Sequence, residues 1–293
     1  MYQVYIDKPS FYDPEMIGEF KKLYKGAELF FIAGADSIMN MHSWVRPEEI
    51  FSLCEVIAID RDEQVEDHEL ESAIKNLKEK YTLLGIEESV YYRTMLDLKC
   101  KLLECMECEK VPGTFVTGWF EGFFRLTRVS YGRFEYEVST YTSDEPYTMK
   151  CGKVIKKGDR YIGFHIPSSG VPLTDEVRLN SYKEAYKRVS KFFDDGIVIF
   201  GCGSWLLYPK HREFLPERLN IRRFMDDFEL VEWSEDKNGF YDIWRIFGRD
   251  AKLPYDKLPK DTTLKKAYAE WLSAGNKGGR GVGLFMFDGE KIV

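Results

Sequence analysis

No stretch of this chain reaches the ~18 uninterrupted apolar residues that cross a bilayer, because charges or glycines break every candidate within about ten positions. The opening MYQVYIDKPSFYD lacks the basic and apolar blocks of a secretory leader. No membrane association is expected, and the cytoplasm is the expected location. Positive charge is also short, with 42 Lys and Arg against 49 Asp and Glu and a formal net charge of −7. That balance gives no broad attraction to phosphate backbones or anionic lipid, so no nucleic-acid partner is expected. Only four histidines are present, and the six cysteines (Cys54, Cys100, Cys105, Cys108, Cys151, Cys202) are scattered. Cys105-x-x-Cys108 has the spacing of half a zinc site or a redox pair, but no second pair matches it. The surrounding EESVYYRTMLDLKCKLLECMECEK reads instead as an amphipathic helix. No metal is expected, and the thiols fit a reducing compartment.

What the chain has in quantity is aromatic residues, 15% of it, including 18 Tyr and 21 Phe, within a hydrophobic content of 44%. Such a composition favours a packed, strand-containing globule. A length of 293 residues suggests two domains, or one with an elaboration. Residues 1–112 read as mainly helical. Asp13-Pro14-Glu15 and Arg46-Pro47-Glu48-Glu49 supply helix starts, and EDHELESAIKNLKEKY has a 3.6-residue apolar rhythm. Within this region LFFIA (29–33) and VIAID (56–60) are short apolar runs that suit either buried strands or pieces of helix.

After Val111-Pro112-Gly113 the pattern changes. FFRLTRVSYGRFEYEVSTYT predicts a hairpin turning at Tyr131-Gly132, and RYIGFHIP (160–167) a third strand. A helix over 174–193 is capped by Thr174, and GIVIFGCGSWLLYP (196–209) is a fourth strand entered through Asp194-Asp195-Gly196. KHREFL starts another helix. FELVEWSE and YDIWRIFG suggest a second hairpin, TTLKKAYAEWLSAG a helix ended by Gly275, and GVGLFMFDGEKIV a closing strand. Residues 113–293 are therefore expected to form an α+β domain, a mixed and mostly antiparallel sheet flanked by helices. An open sheet of this kind places ligands beyond its strand ends.

Six blocks run collinearly within the stretch from Gly85 to Val293: GWFEGFFRLTRVSYGRFEYE (118–137), HIPSSGVPLT (165–174), CGSWLLYP (202–209), LPERLNIRRFMDDF (215–228), WRIFG (244–248) and LPKDTTLKKAYAEWLSAGNKGGRGVGLFMFDGEKI (258–292). In these blocks and their element order the chain resembles a bacterial acyltransferase family that pairs a helical N-terminal region with a GNAT-like C-terminal domain. The resemblance implies a GNAT-like acyl-CoA N-acyltransferase fold, in which two central strands splay and the gap admits the pantetheine arm of CoA. It implies acyl-CoA, acetyl-CoA foremost, as co-substrate, and direct attack by a small-molecule or peptide amine in a ternary complex. A homodimer is compatible with it. Two departures stand out. The Cys-Gly-Ser-Trp block has Gly203 where the family usually has His, and Asp175 and Glu176 follow the Ser168-Ser169-Gly170 turn, where a helix N-terminus would otherwise favour phosphate.

Acyl transfer to an amine needs a base, oxyanion donors and often an acid for the thiolate. His165, at the end of its strand, is the candidate base, the competing reading being a ring that holds the HIPSSG loop in shape. Ser204 and Tyr208 are candidates to protonate the thiolate. Cys202 is a candidate covalent acceptor or an inert core thiol. The cofactor-binding candidates are Ile166, Pro167, Ser168, Ser169 and Gly170. Arg125, Arg128 and Arg245, in strand runs, are expected in ion pairs, and Asn220 to cap or bridge a turn. GNKGGRGVG (275–283), with Lys277 and Arg280, lacks the Gly-Lys-Ser/Thr ending of a phosphate loop and reads as loop and turn.

Residues 30–61, FFIAGADSIMNMHSWVRPEEIFSLCEVIAIDR, resemble the middle of nicotinate-nucleotide adenylyltransferases, which would imply nucleotide binding there. The upstream His-x-x-His motif of those enzymes is missing, and His42 has no partner at ligand spacing. A third alternative is a non-catalytic GNAT-like binding or scaffold protein, which Gly203 and the acidic helix start favour.

Overall fold

The computed structural model describes residues 30–34, 55–59, 67–111, 113–193 and 195–293, with a few isolated positions before residue 53. The chain divides into two compact units, Met1–Ile74 and Lys75–Val293, a boundary well before the change of sequence character at residue 112. In the first unit the ambiguous apolar runs are strands: β1, Phe30–Gly34, pairs in parallel with β2, Glu55–Ile59. The helix start read at Asp13-Pro14-Glu15 and the histidine at 42 lie outside the described residues. Helix α1, Asp67–Leu83, runs across the boundary, and α2, Glu88–Glu109, belongs to the second unit.

The second unit is built on a six-stranded sheet whose order is β3 (Arg128–Tyr131), β4 (Phe134–Thr140), β7 (Arg160–His165), β8 (Val198–Ser204), β10 (Gly279–Phe287) and β9 (Glu229–Glu235). β3 (Arg128–Tyr131) and β4 (Phe134–Thr140) form the expected hairpin, with Gly132 at φ 60 in the turn. A Cβ at Gly132 would lie 2.7 Å from the Ser181 backbone, so this turn requires glycine twice over. Two short strands, β5 (Tyr147–Thr148) and β6 (Val154–Ile155), make a small separate hairpin. β7 (Arg160–His165), helix α3 (Asp175–Val189) and β8 (Val198–Ser204) form a parallel crossover. Helix α4 (Asn220–Asp226) leads to β9 (Glu229–Glu235), and helix α5 (Thr263–Ser273) to β10 (Gly279–Phe287).

Four expectations are corrected. YDIWRIFG is not a strand: Trp244–Phe247 is a single helical turn. The partner of β9 is β10, which inserts antiparallel between β8 and β9 and uses the Gly-rich 275–283 segment as a turn and the start of a strand. The 196–209 strand is also shorter than expected, ending at Ser204 before a 3-10 turn at Trp205–Leu207. Asn220 opens α4, and its cap position is occupied by Leu219.

Alternation along the strands gives the sheet two unlike faces. On the first, Phe134, Tyr136, Phe164, Phe200, Cys202, Phe285 and Phe287 form the main core with Tyr182 of α3, Phe224 of α4 and Tyr268 of α5. Fully burying each such ring contributes roughly 1.5–3 kcal/mol, so this layer holds the domain together. The second face is covered at one end by the β5–β6 hairpin, through Tyr141, Met149 and Ile155 against Ile199, Leu284 and Met286. At the other end it meets α2, where Thr94 accepts from the Ser130 amide at 2.9 Å. Cys100, Cys105 and Cys108 are buried on α2, on the face it turns to the sheet.

The contact of α2 with the sheet also buries a carboxyl pair, Asp97 at 2% exposure and Glu135 at 0%. Burial, and then the charge of Asp97, push the Glu135 carboxyl far above its ordinary range; burial raises Asp97 too, against the pull of Lys101. A proton on Glu135 removes the cost of two facing anions, in a place where neither of its oxygens has a hydrogen-bond partner among the described residues.

Two predictions follow from the packing. A group whose folded-state pKa is raised contributes stability that is present at low pH and lost as pH climbs from the unfolded value, about 4.3 for Glu. Glu135→Gln, which cannot ionise, should therefore show a shallower loss of stability between pH 5 and pH 8 than the wild type, gaining on it by more than about 1 kcal/mol at pH 8; parallel unfolding curves at the two pH values would refute the buried acid. In β10 a Cβ on Gly281 would meet the Leu207 carbonyl oxygen at 2.4 Å, whereas one on Gly203 meets only Val282 at 3.6 Å. Gly281→Ala should cost about 1–3 kcal/mol in urea unfolding, and Gly203→Ala should change stability by less than about 0.5 kcal/mol.

Candidate active site

The parallel pairing of β7 with β8 consists of two residue pairs, Ile162 with Phe200 and Gly163 with Gly201. Beyond them each strand continues with its other neighbour: β7 stays with β4 as far as His165, and β8 with β10 as far as Ser204. The carboxyl ends of the two central strands thus open a cleft, with His165 on one lip and Gly203 on the other. This is the place where an open α/β sheet receives ligands.

His165 lies on the second face, about a third exposed, and its Nε2 is 2.7 Å from Glu137 Oε1. The other carboxylate oxygen of Glu137 accepts from Arg128 Nε at 3.1 Å and Nη2 at 2.7 Å. Burial pushes the Glu137 carboxyl up, but the His165 and Arg128 partners outweigh it and hold the group below the usual carboxylate range. Glu137 is therefore ionised at neutral pH and accepts from Nε2–H, which leaves the Nδ1 lone pair as the basic atom. Trp119, from a 3-10 turn at Thr117–Phe120, packs edge-on against the imidazole at 4.6 Å. Neither Glu137 nor Trp119 stands out in the sequence; the i, i+2 alternation of Glu135 and Glu137 in a β-run was the available signal.

The other sequence candidates are on the opposite side of the sheet from His165. Cys202 is 4% exposed in the main core, and burial pushes its thiol up to about 12, so it offers no thiolate at neutral pH. Ser204 caps the following 3-10 turn by accepting from the Leu206 amide at 3.2 Å, which leaves its own proton free to donate. Tyr208 is fully buried, and its hydroxyl donates to Glu235 at 2.9 Å. Burial, then that carboxylate, raise the phenol well above its ordinary value.

The loop from Ile166 to Gly170 leaves β7 at the cleft. It is tied down from below by Arg133, which donates to the Pro167 carbonyl at 2.7 Å and the Val171 carbonyl at 2.9 Å. The Ser168 hydroxyl is held by Glu104, whose charge is met by Lys101 at 3.2 Å and Arg245 at 3.6 Å. The Ser169 hydroxyl is buried with no partner among the described residues, and Gly170 has φ +75. Among the described residues no hydrogen bond uses the Ser168, Ser169 or Gly170 amides, so the turn presents N–H groups for an anion. The acidic start of α3 is less repulsive than its sequence implies. Asp175 is bound by Arg178 at 3.1 Å and Arg223 at 3.2 Å, and Thr174 caps the helix by accepting from the Val177 amide. Of the three strand-run arginines, Arg128 and Arg245 are in partly buried ion pairs, while Arg125 follows a one-turn helix and pairs with Glu121 at the surface.

No group of three or more ligating side chains is placed to hold a metal among the described residues. No helix among them is long and apolar enough to cross a membrane.

Among curated proteins, the chain is 31% identical over 72 residues to a probable nicotinate-nucleotide adenylyltransferase of Aquifex aeolicus, covering 25% of this chain and 40% of that protein. It is 42% identical over 55 residues to one from Carboxydothermus hydrogenoformans, covering 19% and 27%. The chain thus spans less than half the length of these relatives. Among solved structures it superposes on an acyltransferase in complex with decanoyl-CoA and teicoplanin, with a TM-score of 0.59 and 20% identity over 72% of this chain and 62% of that one. An acyltransferase in complex with decanoyl-CoA gives a TM-score of 0.58 and 22% identity at the same coverage. A family model, the GNAT-like C-terminal domain, matches residues 128–285, more than half of the chain and the whole span from β3 into β10. With the strand order, the splay and this match in agreement, the chain belongs to the family of the GNAT-like C-terminal domain.

Proposed function

We propose that the second unit transfers an acyl group from an acyl-CoA to an amine, with the thioester seated in the cleft between β7 and β8. The observation that carries this reading is the two-pair limit of the β7–β8 ladder, which opens the sheet where His165 and Glu137 stand. The acyl-CoA bound to the structural neighbours supports the same chemistry. The amides of Ser168, Ser169 and Gly170 cradle the pyrophosphate, with Ile166 and Pro167 alongside the pantetheine arm.

In the ternary complex His165 Nδ1 takes a proton from the amine as its nitrogen attacks the thioester carbonyl. Glu137 stabilises the imidazolium that forms, so the base and its counter-charge act as a pair. Collapse of the tetrahedral adduct completes the C–N bond and breaks the C–S bond. The thiolate then takes a proton from Ser204 or water; Tyr208, whose proton is committed to Glu235, is the weaker candidate. Direct transfer is preferred to a covalent route through Cys202 because a buried neutral thiol is a poor nucleophile.

Free-thiol release should be followed with acetyl-CoA through decanoyl-CoA against a panel of primary amines. The wild type should turn over, and His165→Ala should lower kcat by about 10²–10⁴-fold at neutral pH while calorimetric acyl-CoA affinity is retained. Unchanged turnover in that variant would remove His165 from the chemistry. Binding of ATP without any acyl-CoA would favour a nucleotide-binding protein, and silence towards both a scaffold.

A further inference from the structure

The His165 imidazole is part of a closed circuit of four side chains. Glu137 joins it to Arg128 through opposite carboxylate oxygens. The Arg128 guanidinium lies 3.8 Å over the centre of the Trp119 ring, and its Nη1 donates to the Trp119 carbonyl at 2.9 Å. The Trp119 ring then returns to His165, at 4.6 Å and 82°. Two ties lead out of the circuit from Trp119: the indole N–H donates to Asp97 Oδ2 at 3.1 Å, on the buried face of α2, and Lys101 Nζ lies 5.7 Å from the ring centre.

Trp119 belongs to neither apolar core of the unit. A large aromatic side chain that packs on no core, yet is held by a cation on its face, a carboxylate at its N–H and a donor at its carbonyl, is fixed for what its remaining contact does. That contact is the imidazole. A single hydrogen bond to Glu137 leaves the His165 ring free to rotate about its last side-chain torsion, which exchanges the nitrogen facing Glu137 for a carbon. An indole standing at right angles against the ring obstructs that rotation.

We propose that Trp119 is a positioning residue for His165, holding the ring in the one orientation that keeps Nε2–H on Glu137 and leaves the Nδ1 lone pair for substrate. The catalytic part of this inference rests on the reading of His165 as the base; the orientation itself does not. Asp97 and Arg128 are the anchors that make the indole rigid. In this arrangement the tryptophan contributes through geometry, and small displacements of a base cost rate steeply.

The test is long-range 15N correlation of the histidine rings, with kinetics alongside. Wild-type His165 should show a single Nε2–H tautomer at neutral pH without any ligand; a tautomer mixture in the wild type overturns the proposal outright. Trp119→Leu should convert it to a mixture, lower kcat by about tenfold to a hundredfold and displace the acidic limb of the pH–rate profile, on which a base gains its proton, with KM for acyl-CoA changed by less than about twofold. Trp119→Phe, which keeps a ring against His165 and under Arg128, should restore the single tautomer. A Trp119→Leu protein that melts earlier but keeps the wild-type tautomer and pH profile would show a structural role only. If the wild type transfers no acyl group while the tautomer responds as stated, the transferase reading fails and the positioning role survives.

Discussion

Two pairs of residues join the halves of the main sheet, Ile162 with Phe200 and Gly163 with Gly201, and the site depends on how little else they share. A parallel pair needs a crossover helix, here α3, and its strands lie side by side only as long as their hydrogen bonds continue. Glycine at 163 and 201 leaves room for the side chains over this junction, since a Cβ on Gly201 would lie 2.6 Å from the Tyr161 ring and one on Gly163 2.4 Å from Ser139 Oγ. Past the junction each strand is held by its outer antiparallel neighbour, so the opening is a property of the ladders on either side. The aromatic layer on the first face then fixes the angle between the halves, because Tyr136 packs on Phe200 and Phe164 on Phe285 across it, and Tyr182 of α3 lies against both Phe134 and Phe285.

The second face carries the polar chemistry, and it is organised by balancing charge locally in a chain with a net excess of acid. Glu137 is matched by Arg128 and Glu104 by Lys101 and Arg245, and among the helices of the first face Asp175 is matched likewise by Arg178 and Arg223. Glu135 and Asp97 are the exception, and there burial keeps a proton instead of recruiting a cation. A loop presenting free amides beside these neutralised acids suits an anion, despite the formal charge of −7.

Much of the fold was legible. The hairpin at Gly132, the Thr174 cap, the strand ending at His165 and the C-terminal strand all follow from local turn and capping chemistry. What the sequence could not disclose was partnership: β9 pairs with a strand more than forty residues on, and the intervening YDIWRIFG, apolar enough for a strand, packs as a helical turn. The site was half legible. His165 and the Ser-Ser-Gly turn lie at the cleft, whereas Cys202 and Tyr208 are absorbed into the core, because alternation assigns a face without saying which face is solvated. Glu137 and Trp119 become visible only when β4, β7 and the 3-10 turn come together.

The most direct test of the cleft as the acyl-transfer site is a crystal structure with a non-hydrolysable thioether analogue of an acyl-CoA. The pantetheine arm should enter between His165 and Gly203, with the pyrophosphate on the Ser168–Gly170 amides. An analogue bound elsewhere, or a cleft still closed to the arm at saturating analogue, would contradict the account.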